Sequence, residues 1–210
     1  MHYAGLVIYE MRTYDLKPGM VPEFAARYAA ALPQRTKISP LGAFWSTEVG
    51  PLNQVIAVWP YADMVEREHA RAEAATAGLW PPKVAELILR EETWILNPAP
   101  FMRPLQPAQL GNVYEMRLYT VQLGQMAEVV RRWGESIAER QTLSPLAAGW
   151  YTDLGPLSIW IHVWPYKDLG ERARVRASAQ QLKNWPPPAR ELYTSQENKI
   201  LVPADFSPLH

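Results

Sequence analysis

The chain repeats itself with a period of 105 residues, and this repeat limits the possible folds more than any other feature. When residues 1–105 are aligned without gaps to residues 106–210, 40 of the 105 positions are identical. The matches cluster in short segments, among them Tyr-Glu-Met-Arg at residues 9–12 and 114–117. A period of this length is typical of duplicated domains, because the unit of a solenoid is usually about 20–50 residues long. We therefore predict two domains with the same fold, at residues 1–105 and 106–210.

Each half is predicted to have the element order β-α-β-β-α-β. In the first half, a strand at Leu6–Tyr14 precedes a helix, and two strands at about 43–49 and 54–60 follow it. The Gly-Pro-Leu-Asn segment between these two strands is typical of a hairpin turn. The helix is predicted from apolar residues that recur with a period of 3.6. These residues are Val21, Phe24, Ala25, Tyr28 and Leu32, and in the second half Met126, Val129, Val130, Trp133 and Ile137.

The second part of each unit begins with a signal for the start of a helix. Asp63 and Glu66 are spaced as an N-cap residue and its partner three positions later, and the same pair recurs in the second half. The Trp-Pro-Pro segment at residues 80–82 is expected to place proline in the first turn of a short extra helix, where its missing N–H is not needed. A last strand is predicted at about 91–97, ending before Pro98.

This order of elements matches the ferredoxin-like split β-α-β unit. In such a unit both helices cover one face of a four-stranded sheet, so the other face has to be buried against something else. A second identical unit in the same chain is the expected cover, just as two-fold homodimers solve the problem with two chains. We therefore predict an α+β fold in which the two halves enclose a closed or nearly closed barrel.

Side chains alternate between the two faces of each predicted strand. In the first strand, Tyr9 and Met11 share one face, and Glu10 and Arg12 share the other. We expect the more aliphatic face to pack against the helices and the charged, aromatic face to line the space between the two sheets. The residues predicted to line this barrel lumen are Glu10, Arg12, Tyr14, Trp59, Tyr61, Glu115, Arg117, Tyr119, Trp160, His162, Trp164 and Tyr166.

The residues predicted in the lumen allow two interpretations. Glu10 and Arg12 lie roughly 7 Å apart on one strand face, and a charge buried without a partner is costly. They either form a structural ion network or stay hydrated and bind a polar group of a ligand. His162 is either a buried histidine satisfied by hydrogen bonds or a general acid–base group, because imidazole titrates near neutral pH. The aromatic residues either hold a flat ligand or are ordinary core.

We take His162 and Tyr166 as candidate catalytic residues and the other ten predicted lumen residues as candidate substrate-binding residues. Outside this set, Arg67 and Arg71 are spaced by four on the second predicted helix. Such a stripe is usually a solvated face whose stems pack on the sheet. The alternative is a site that binds an anion.

Composition excludes several other classes of protein. Lys and Arg together number 21, as do Asp and Glu, whereas a nucleic-acid-binding protein normally has an excess of basic residues. The sequence has no apolar run long enough for a membrane span and no pattern of a secretory signal, so we expect a cytoplasmic protein. It contains no cysteine and therefore no thiolate site. No phosphate-binding loop, dinucleotide fingerprint or metalloprotease motif occurs, and we expect no cofactor and no metal.

Longer motifs that occur in both halves resemble the NIPSNAP family over nearly the whole chain. In the first half they are YEMRTYDLKPG (9–19) and LGAFWSTEVGPLNQVIAVWPY (41–61), followed by Asp63, Arg67, Trp80 and Glu92. In the second half they are YEMRLYTVQLG (114–124) and LAAGWYTDLGPLSIWIHVWPY (146–166), followed by Asp168, Arg172, Trp185 and Glu197. The halves also differ, because Ala57 stands where the second half has His162, and Phe44 where it has Gly149.

The resemblance implies a pseudo-two-fold dimeric α/β barrel within one chain. Families related by this fold include cofactor-free monooxygenases that oxidise aromatic polyketides, muconolactone-type isomerases and haem-binding chlorite dismutase-like proteins. Animal members of the family are associated with mitochondria and membrane traffic. Since a fold does not determine a function, the activity has to be argued from the site.

We expect the protein to bind a small aromatic or apolar molecule in the barrel lumen, as a cofactor-independent monooxygenase or as a binding protein. The alternative is a non-enzymatic interaction or scaffold protein with a closed, packed lumen. A third possibility, haem binding, would predict a Soret band on titration. We expect neither a nucleic acid nor a membrane span, and association into a homo-oligomer is possible.

Overall fold

The protein structure, a computed structural model, describes residues 7–78 and 80–210. The first half contains β1 (Ile8–Leu16), α1 (Val21–Arg35), β2 (Ala43–Val49), β3 (Gln54–Tyr61), α2 (Met64–Thr76) and β4 (Ile88–Pro98). The second half contains β5 (Val113–Val121), α3 (Met126–Arg140), β6 (Ala148–Leu154), β7 (Ile159–Tyr166), α4 (Leu169–Ala179) and β8 (Tyr193–Pro203). A 3-10 turn precedes each last strand, at Ala85–Leu87 and at Arg190–Leu192. The predicted order β-α-β-β-α-β is thus confirmed in both halves.

Several predicted boundaries differ from the structure, and the first strand ends at Leu16, two residues later than predicted. The predicted first residue of the first strand, Leu6, lies outside the described residues. The last strand of the first half begins three residues earlier than predicted and includes Pro98. The helix predicted at the Trp-Pro-Pro segment is wrong, since the short helix begins only at Ala85 and the peptide bond between Trp80 and Pro81 is cis. A proline disfavours helical backbone for the residue before it, and Pro81 is followed by a second proline.

The helices form where the sequence provides an N-cap residue or an apolar stripe. In α2, the Asp63 carboxylate accepts hydrogen bonds from the backbone N–H groups of Val65 and Glu66, at 2.9 and 2.8 Å. The Glu66 carboxylate accepts from the N–H of Ala62, one position before the N-cap. The N-cap is therefore confirmed, with the reciprocal bond displaced by one residue. In α1 and α3 the central residues of the predicted stripes are buried; these are Phe24, Tyr28 and Leu32, and Val129, Trp133 and Ile137.

The eight strands form one closed barrel in the order β1-β3-β2-β8-β5-β7-β6-β4. All neighbouring strands are antiparallel, and the two halves are joined by the pairs β2–β8 and β4–β6. The registers of these two joints repeat each other, with Trp45 opposite Pro203 and Trp150 opposite Pro98. The predicted fold of two ferredoxin-like repeats that form one α/β barrel is confirmed.

The barrel lumen is filled by apolar and aromatic side chains from both halves. Tyr9 packs against Trp150 and Tyr114 packs against Trp45, each with 5.5 Å between ring centroids. All four side chains are at most 1% exposed, and Met11 is 2% exposed. The same cluster contains Ala43, Ile56, Val58, Leu96, Met116, Ala148, Ile161, Val163 and Leu201. The predicted binding site in the lumen is therefore wrong, because side chains occupy that space.

The predicted orientation of the strand faces is also wrong. The face that carries Glu10 points away from the lumen, and its carboxylate accepts hydrogen bonds from Arg67 and Arg71 of α2, at 2.7 and 3.2 Å. The two arginines are thus ligands of a buried carboxylate and not a solvated stripe. The physical reason is the pseudo-two-fold symmetry of the barrel. A residue that points into the lumen from one half lies close to the equivalent residues of the other half. Apolar rings can pack together in this way, whereas like charges repel one another.

The reversal applies to all twelve predicted lumen residues. In the first half, Tyr14 packs against Phe24 of α1 with 5.1 Å between ring centroids. In the second half, His162 packs against Trp133 of α3 at 4.4 Å. The predicted residues therefore lie between the outside of the barrel and the helices, in two separate layers. They are Glu10, Arg12, Tyr14, Trp59 and Tyr61 in the first layer, and Glu115, Arg117, Tyr119, Trp160, His162, Trp164 and Tyr166 in the second.

Candidate functional site

A cavity of about 330 Å³ lies in the second half, between the outer face of the sheet and the helices. Strands β5, β7 and β8 form its floor, α3 and α4 flank it, and the Trp-Pro-Pro segment at residues 185–187 borders it. Its aromatic walls are Tyr119, Trp133, Trp164, Tyr166, Trp185 and Tyr193. Ligand-binding pockets are typically of this size and have mostly apolar walls with a few polar groups.

A buried carboxylate surrounded by guanidinium groups forms the charged side of the cavity. Glu115 is 0% exposed and accepts hydrogen bonds from Arg117 at 2.9 Å, Arg172 at 2.7 Å and Arg176 at 3.2 Å. Burial alone would raise the pKa of Glu115, but the hydrogen bond from Arg172 and the charges of Arg176 and Arg117 outweigh it and lower the pKa below its usual value. Glu115 is therefore ionised at neutral pH.

A second cation, Arg140 at the end of α3, donates hydrogen bonds to neutral groups only. Its guanidinium group donates to the Ser144 hydroxyl at 3.1 Å and to the Tyr166 hydroxyl at 3.3 Å. It stacks on Trp164, 4.1 Å from the ring centroid. Arg140 is 3% exposed, and burial lowers its pKa. Stacking on an aromatic face stabilises a desolvated cation, but among the described residues no carboxylate lies within 4.0 Å of this guanidinium group.

His162 presents an unpartnered hydrogen-bond donor to the cavity. Its Nδ1 accepts a hydrogen bond from Trp164 Nε1 at 2.7 Å, and its Nε2 is buried without a partner among the described residues. Because the indole N–H can only donate, Nδ1 has to be the acceptor and Nε2 carries the proton in the neutral ring. Burial, together with the charges of Arg117, Arg140 and Arg176, lowers the pKa of His162 well below its usual value. The imidazole is therefore neutral and acts as a donor at Nε2, not as a base.

Three tyrosines, Tyr119, Tyr166 and Tyr193, also line the cavity, and the Tyr193 hydroxyl accepts a hydrogen bond from Trp133 Nε1 at 2.8 Å. Tyr119 accepts a hydrogen bond from Arg117 Nε at 2.6 Å. Burial raises the pKa of Tyr119 despite the nearby Arg117 charge, and burial together with the Glu115 charge raises the pKa of Tyr166. The phenols of Tyr119 and Tyr166 are therefore protonated at neutral pH and can donate to a ligand.

Of the twelve predicted site residues, only residues of the second half line this cavity. Six line it, namely Glu115, Arg117, Tyr119, His162, Trp164 and Tyr166. Trp160 is 0% exposed and packs behind Trp133, with 5.2 Å between ring centroids, so it supports the wall without lining it. The five predicted first-half residues form the equivalent layer on the other side of the barrel and do not contact this cavity.

The equivalent layer of the first half differs in three ways. Arg12 forms an additional ion pair with Glu91, whose counterpart in the second half is the neutral Gln196. Tyr14 packs against Phe24, whose counterpart is the smaller Val129. Ala57 replaces the histidine. These replacements explain why the two copies of one fold present different surfaces to a ligand.

Sequence reasoning missed several residues that line the cavity. They are Trp133, Arg140, Trp185, Arg190, Tyr193 and Gln196. Trp133 was predicted only as part of the apolar stripe of its helix, and Trp185 was named only as part of a family motif. A signal for Arg140 was present, because it follows Ile137 by three positions and so continues the apolar stripe of its helix, as Arg35 does in the first half. Arg190, Tyr193 and Gln196 have no comparable signal, since they come together only through the fold.

No group of three or more His, Asp or Glu side chains within residues 7–78 and 80–210 is arranged to hold a metal ion. No helix in these ranges is both long and apolar enough to cross a bilayer.

Comparison with known proteins places the chain in a family. A family model described as NIPSNAP matches it twice, at residues 9–103 and 114–208. The human Protein NipSnap homolog 3B is 30% identical over 223 residues, which cover 99% of this chain and 87% of the human protein.

Two solved structures resemble the complete barrel. A monooxygenase-like protein of Fusobacterium nucleatum superposes with a TM-score of 0.69 at 11% identity, covering 96% of this chain and 94% of the other. An anthrone oxidase-like protein superposes with a TM-score of 0.60 at 9% identity, covering 97% and 94%. These two likenesses concern the fold alone. The double match to the family model confirms the resemblance seen in the sequence, and the chain belongs to the NIPSNAP family, with two copies of its domain.

Proposed function

We propose that the second half binds a small, flat aromatic molecule in the cavity between sheet and helices and oxidises it with O2 without a cofactor. The observation that carries the proposal is the Nε2–H of His162, which is buried and has no partner among the described residues, on a side chain that lines an aromatic cavity. A buried donor without a partner is costly unless a ligand or water satisfies it. A ligand oxygen placed between aromatic walls would meet this need.

The cavity suits a flat ring more than a flexible chain. Trp133, Trp164 and Trp185 stand at steep angles to one another, with interplanar angles of 87° and 82° for the two pairs that include Trp185. Such edges and faces favour offset or edge-to-face contacts with an aromatic ligand. The volume of about 330 Å³ limits the ligand to a small molecule.

The chemistry requires an electron-rich substrate, because the cavity residues carry no redox group. An anthrone is a suitable model substrate. Its ionised enol can reduce O2, after which the methylene carbon gains one oxygen atom as a carbonyl, and the second oxygen leaves as water with the two methylene hydrogens. Donors that point at the developing oxyanion would stabilise it, and the proposal assigns this role to His162 Nε2 and the Tyr166 hydroxyl. The likeness in fold to an anthrone oxidase-like protein supports this choice of probe.

The first prediction concerns His162→Ala, which installs the residue of the first half. We expect O2 uptake with anthrone, above the spontaneous rate, to fall about a hundredfold, the usual cost of removing one oxyanion donor. Binding of anthrone should weaken by less than the rate. An oxygen electrode measures the rate, and calorimetry measures the dissociation constant.

Trp133→Phe in α3 tests the cavity wall, and Tyr28→Phe at the equivalent position of α1 is its matched control. Trp133→Phe should weaken anthrone binding because it removes part of the cavity wall, whereas Tyr28→Phe should leave binding unchanged. The oxidative part of the proposal fails if anthrone binds without O2 uptake. The whole proposal fails if anthrone does not bind at about 1 mM, the weak end of specific affinities.

The alternative of a non-enzymatic interaction protein is favoured by two other observations. The lumen is filled, and Glu10 lies within 3.4 Å of Arg12 and pairs also with Arg67 and Arg71. Several leucines are exposed in turns, including Leu52 at 72% and Leu123 at 83%. If the protein only interacts with other proteins, substitutions in the cavity should leave its interactions intact.

A further inference from the structure

The cavity of the second half has an excess of positive charge. Four guanidinium groups line it, and Glu115 is the one carboxylate among the lining residues. The four arginines are Arg117, Arg140, Arg176 and Arg190. The Glu115 carboxylate already forms ion pairs with Arg117 and Arg176, and also with Arg172. One carboxylate cannot neutralise this number of cations, and like charges in a partly buried site repel one another.

Two of these cations have no carboxylate in salt-bridge distance among the described residues, and one of the two is buried whereas the other is exposed. Arg140 is 3% exposed and Arg190 is exposed. Among the described residues, no carboxylate lies within 4.0 Å of either guanidinium group. A buried cation without a close counter-charge is unfavourable. Arg140 is offset by its neutral hydrogen bonds, its stacking on Trp164 and the more distant charge of Glu115, while the charge of Arg176 opposes it.

The first half does not share this excess. At the equivalent positions it has three guanidinium groups and two carboxylates, since Ala85 replaces Arg190 and Glu91 replaces Gln196. Glu91 forms an ion pair with Arg12. The lining of the second half is therefore more positive than that of the first half by two charges. The first half has alanine and glutamate at these two positions, so the fold does not require Arg190 or Gln196 there. This difference is unnecessary for the fold and requires another explanation.

The polar groups of the cavity are also mostly donors. His162 Nε2 carries its proton, all three lining tyrosines are protonated because burial raises their pKa values, and a guanidinium group has donors only. A carboxylate has acceptors only and pairs with arginine through charge-assisted hydrogen bonds. We infer that the ligand of the second half is an aromatic carboxylate, whose ring packs between the tryptophans and whose carboxylate pairs with the free guanidinium charge. This inference rests on the binding part of the proposed function.

The test compares 2-naphthoate with its neutral analogue 2-naphthamide, by calorimetry on the full chain. We expect naphthoate to bind at least about tenfold more tightly, a difference that corresponds to about 1.4 kcal/mol. Added salt should weaken naphthoate binding and leave naphthamide binding nearly unchanged, because salt screens charge.

Two variants that restore residues of the first half sharpen the test. Gln196→Glu should pair with Arg117 as Glu91 pairs with Arg12, and Arg190→Ala should remove an exposed cation from the lining. Each should reduce naphthoate affinity about tenfold or more and leave naphthamide affinity unchanged. Both positions are exposed, so folding should be preserved. Glu91→Gln in the first half is the matched control and should change neither affinity.

The possible outcomes separate the two proposals. If naphthamide binds as tightly as naphthoate, or if Gln196→Glu changes neither affinity, the ligand is not selected by its charge and this inference is wrong, while the proposed aromatic binding stands. If neither compound binds at about 1 mM, the aromatic binding itself is wrong, and the inference falls with it.

Discussion

Replacing Glu115 by Gln is expected to lower the free energy of unfolding at pH 7 by about 3 kcal/mol. Removing one partner of a buried ion cluster typically costs about 3–5 kcal/mol, because the remaining charges stay buried without compensation. The lower end applies here, since Arg176 is 42% exposed and Arg172 is 25% exposed, so water screens part of the repulsion. Urea denaturation followed by tryptophan fluorescence measures the loss.

The loss should depend on pH in a direction that follows from the lowered pKa of Glu115. A group whose pKa is lower in the folded state contributes stability above its unfolded pKa, near 4.5, and this contribution disappears as the pH falls through the folded pKa. The difference between the wild-type protein and Glu115→Gln should therefore be largest near neutral pH and shrink below about pH 4. A difference that stays constant down to pH 3 would show that charge is not its cause.

Glu10→Gln is the matched variant in the first half. Glu10 pairs with Arg67 and Arg71 at the same distances, 2.7 and 3.2 Å, as Glu115 does with Arg172 and Arg176. It should therefore lower the free energy of unfolding by a similar amount. The two variants should differ in ligand affinity, because Glu115 alone lines the described cavity. Equal loss of affinity would mean that the effect is transmitted through the fold.

Much of the fold could be predicted from the repeat. Turns, caps and strand patterns recur at equivalent positions of the two halves, so both halves have to adopt the same fold. Which face of the sheet points inward could not be predicted from alternation. Alternation says which residues share a face, and it is equally compatible with either face turned towards the helices. The signal that was overlooked is the joint recurrence of Glu10 with Arg67 and Arg71 in both halves, since a buried carboxylate and two arginines that recur together indicate an ion cluster.

The site could be predicted only in part, for a related reason. His162 and Arg117 lie on strands whose pairing follows from the repeat, so their grouping was accessible from the sequence. The open volume was not, because its walls come from separate segments, among them Trp133, Trp185 and Tyr193. The charge of the lining also depends on residues from separate segments, Arg190 and Gln196, which only the closed fold brings together.

Replacing Trp150 by Ala is expected to have the largest effect on stability, about 3–5 kcal/mol, the usual range for truncating a buried aromatic side chain. Trp150 is 0% exposed in the lumen and packs against Tyr9 of the other half. Because this contact joins the two halves, both should be destabilised together, and unfolding should stay a single transition by fluorescence and circular dichroism. Trp45→Ala, at the equivalent position, should behave in the same way.

Trp150→Phe separates packing from hydrogen bonding at this position. The indole nitrogens of Trp150 and Trp45 are buried and have no hydrogen-bond partner among the described residues, so phenylalanine loses only volume and should cost clearly less than alanine, about 1–2 kcal/mol. A loss of under about 1 kcal/mol for Trp150→Ala, well below the usual range, would mean that the lumen is loosely packed and could admit a ligand. Two resolved transitions would mean that the halves fold independently, although the lumen contacts and the strand pairs β2–β8 and β4–β6 predict that they cannot.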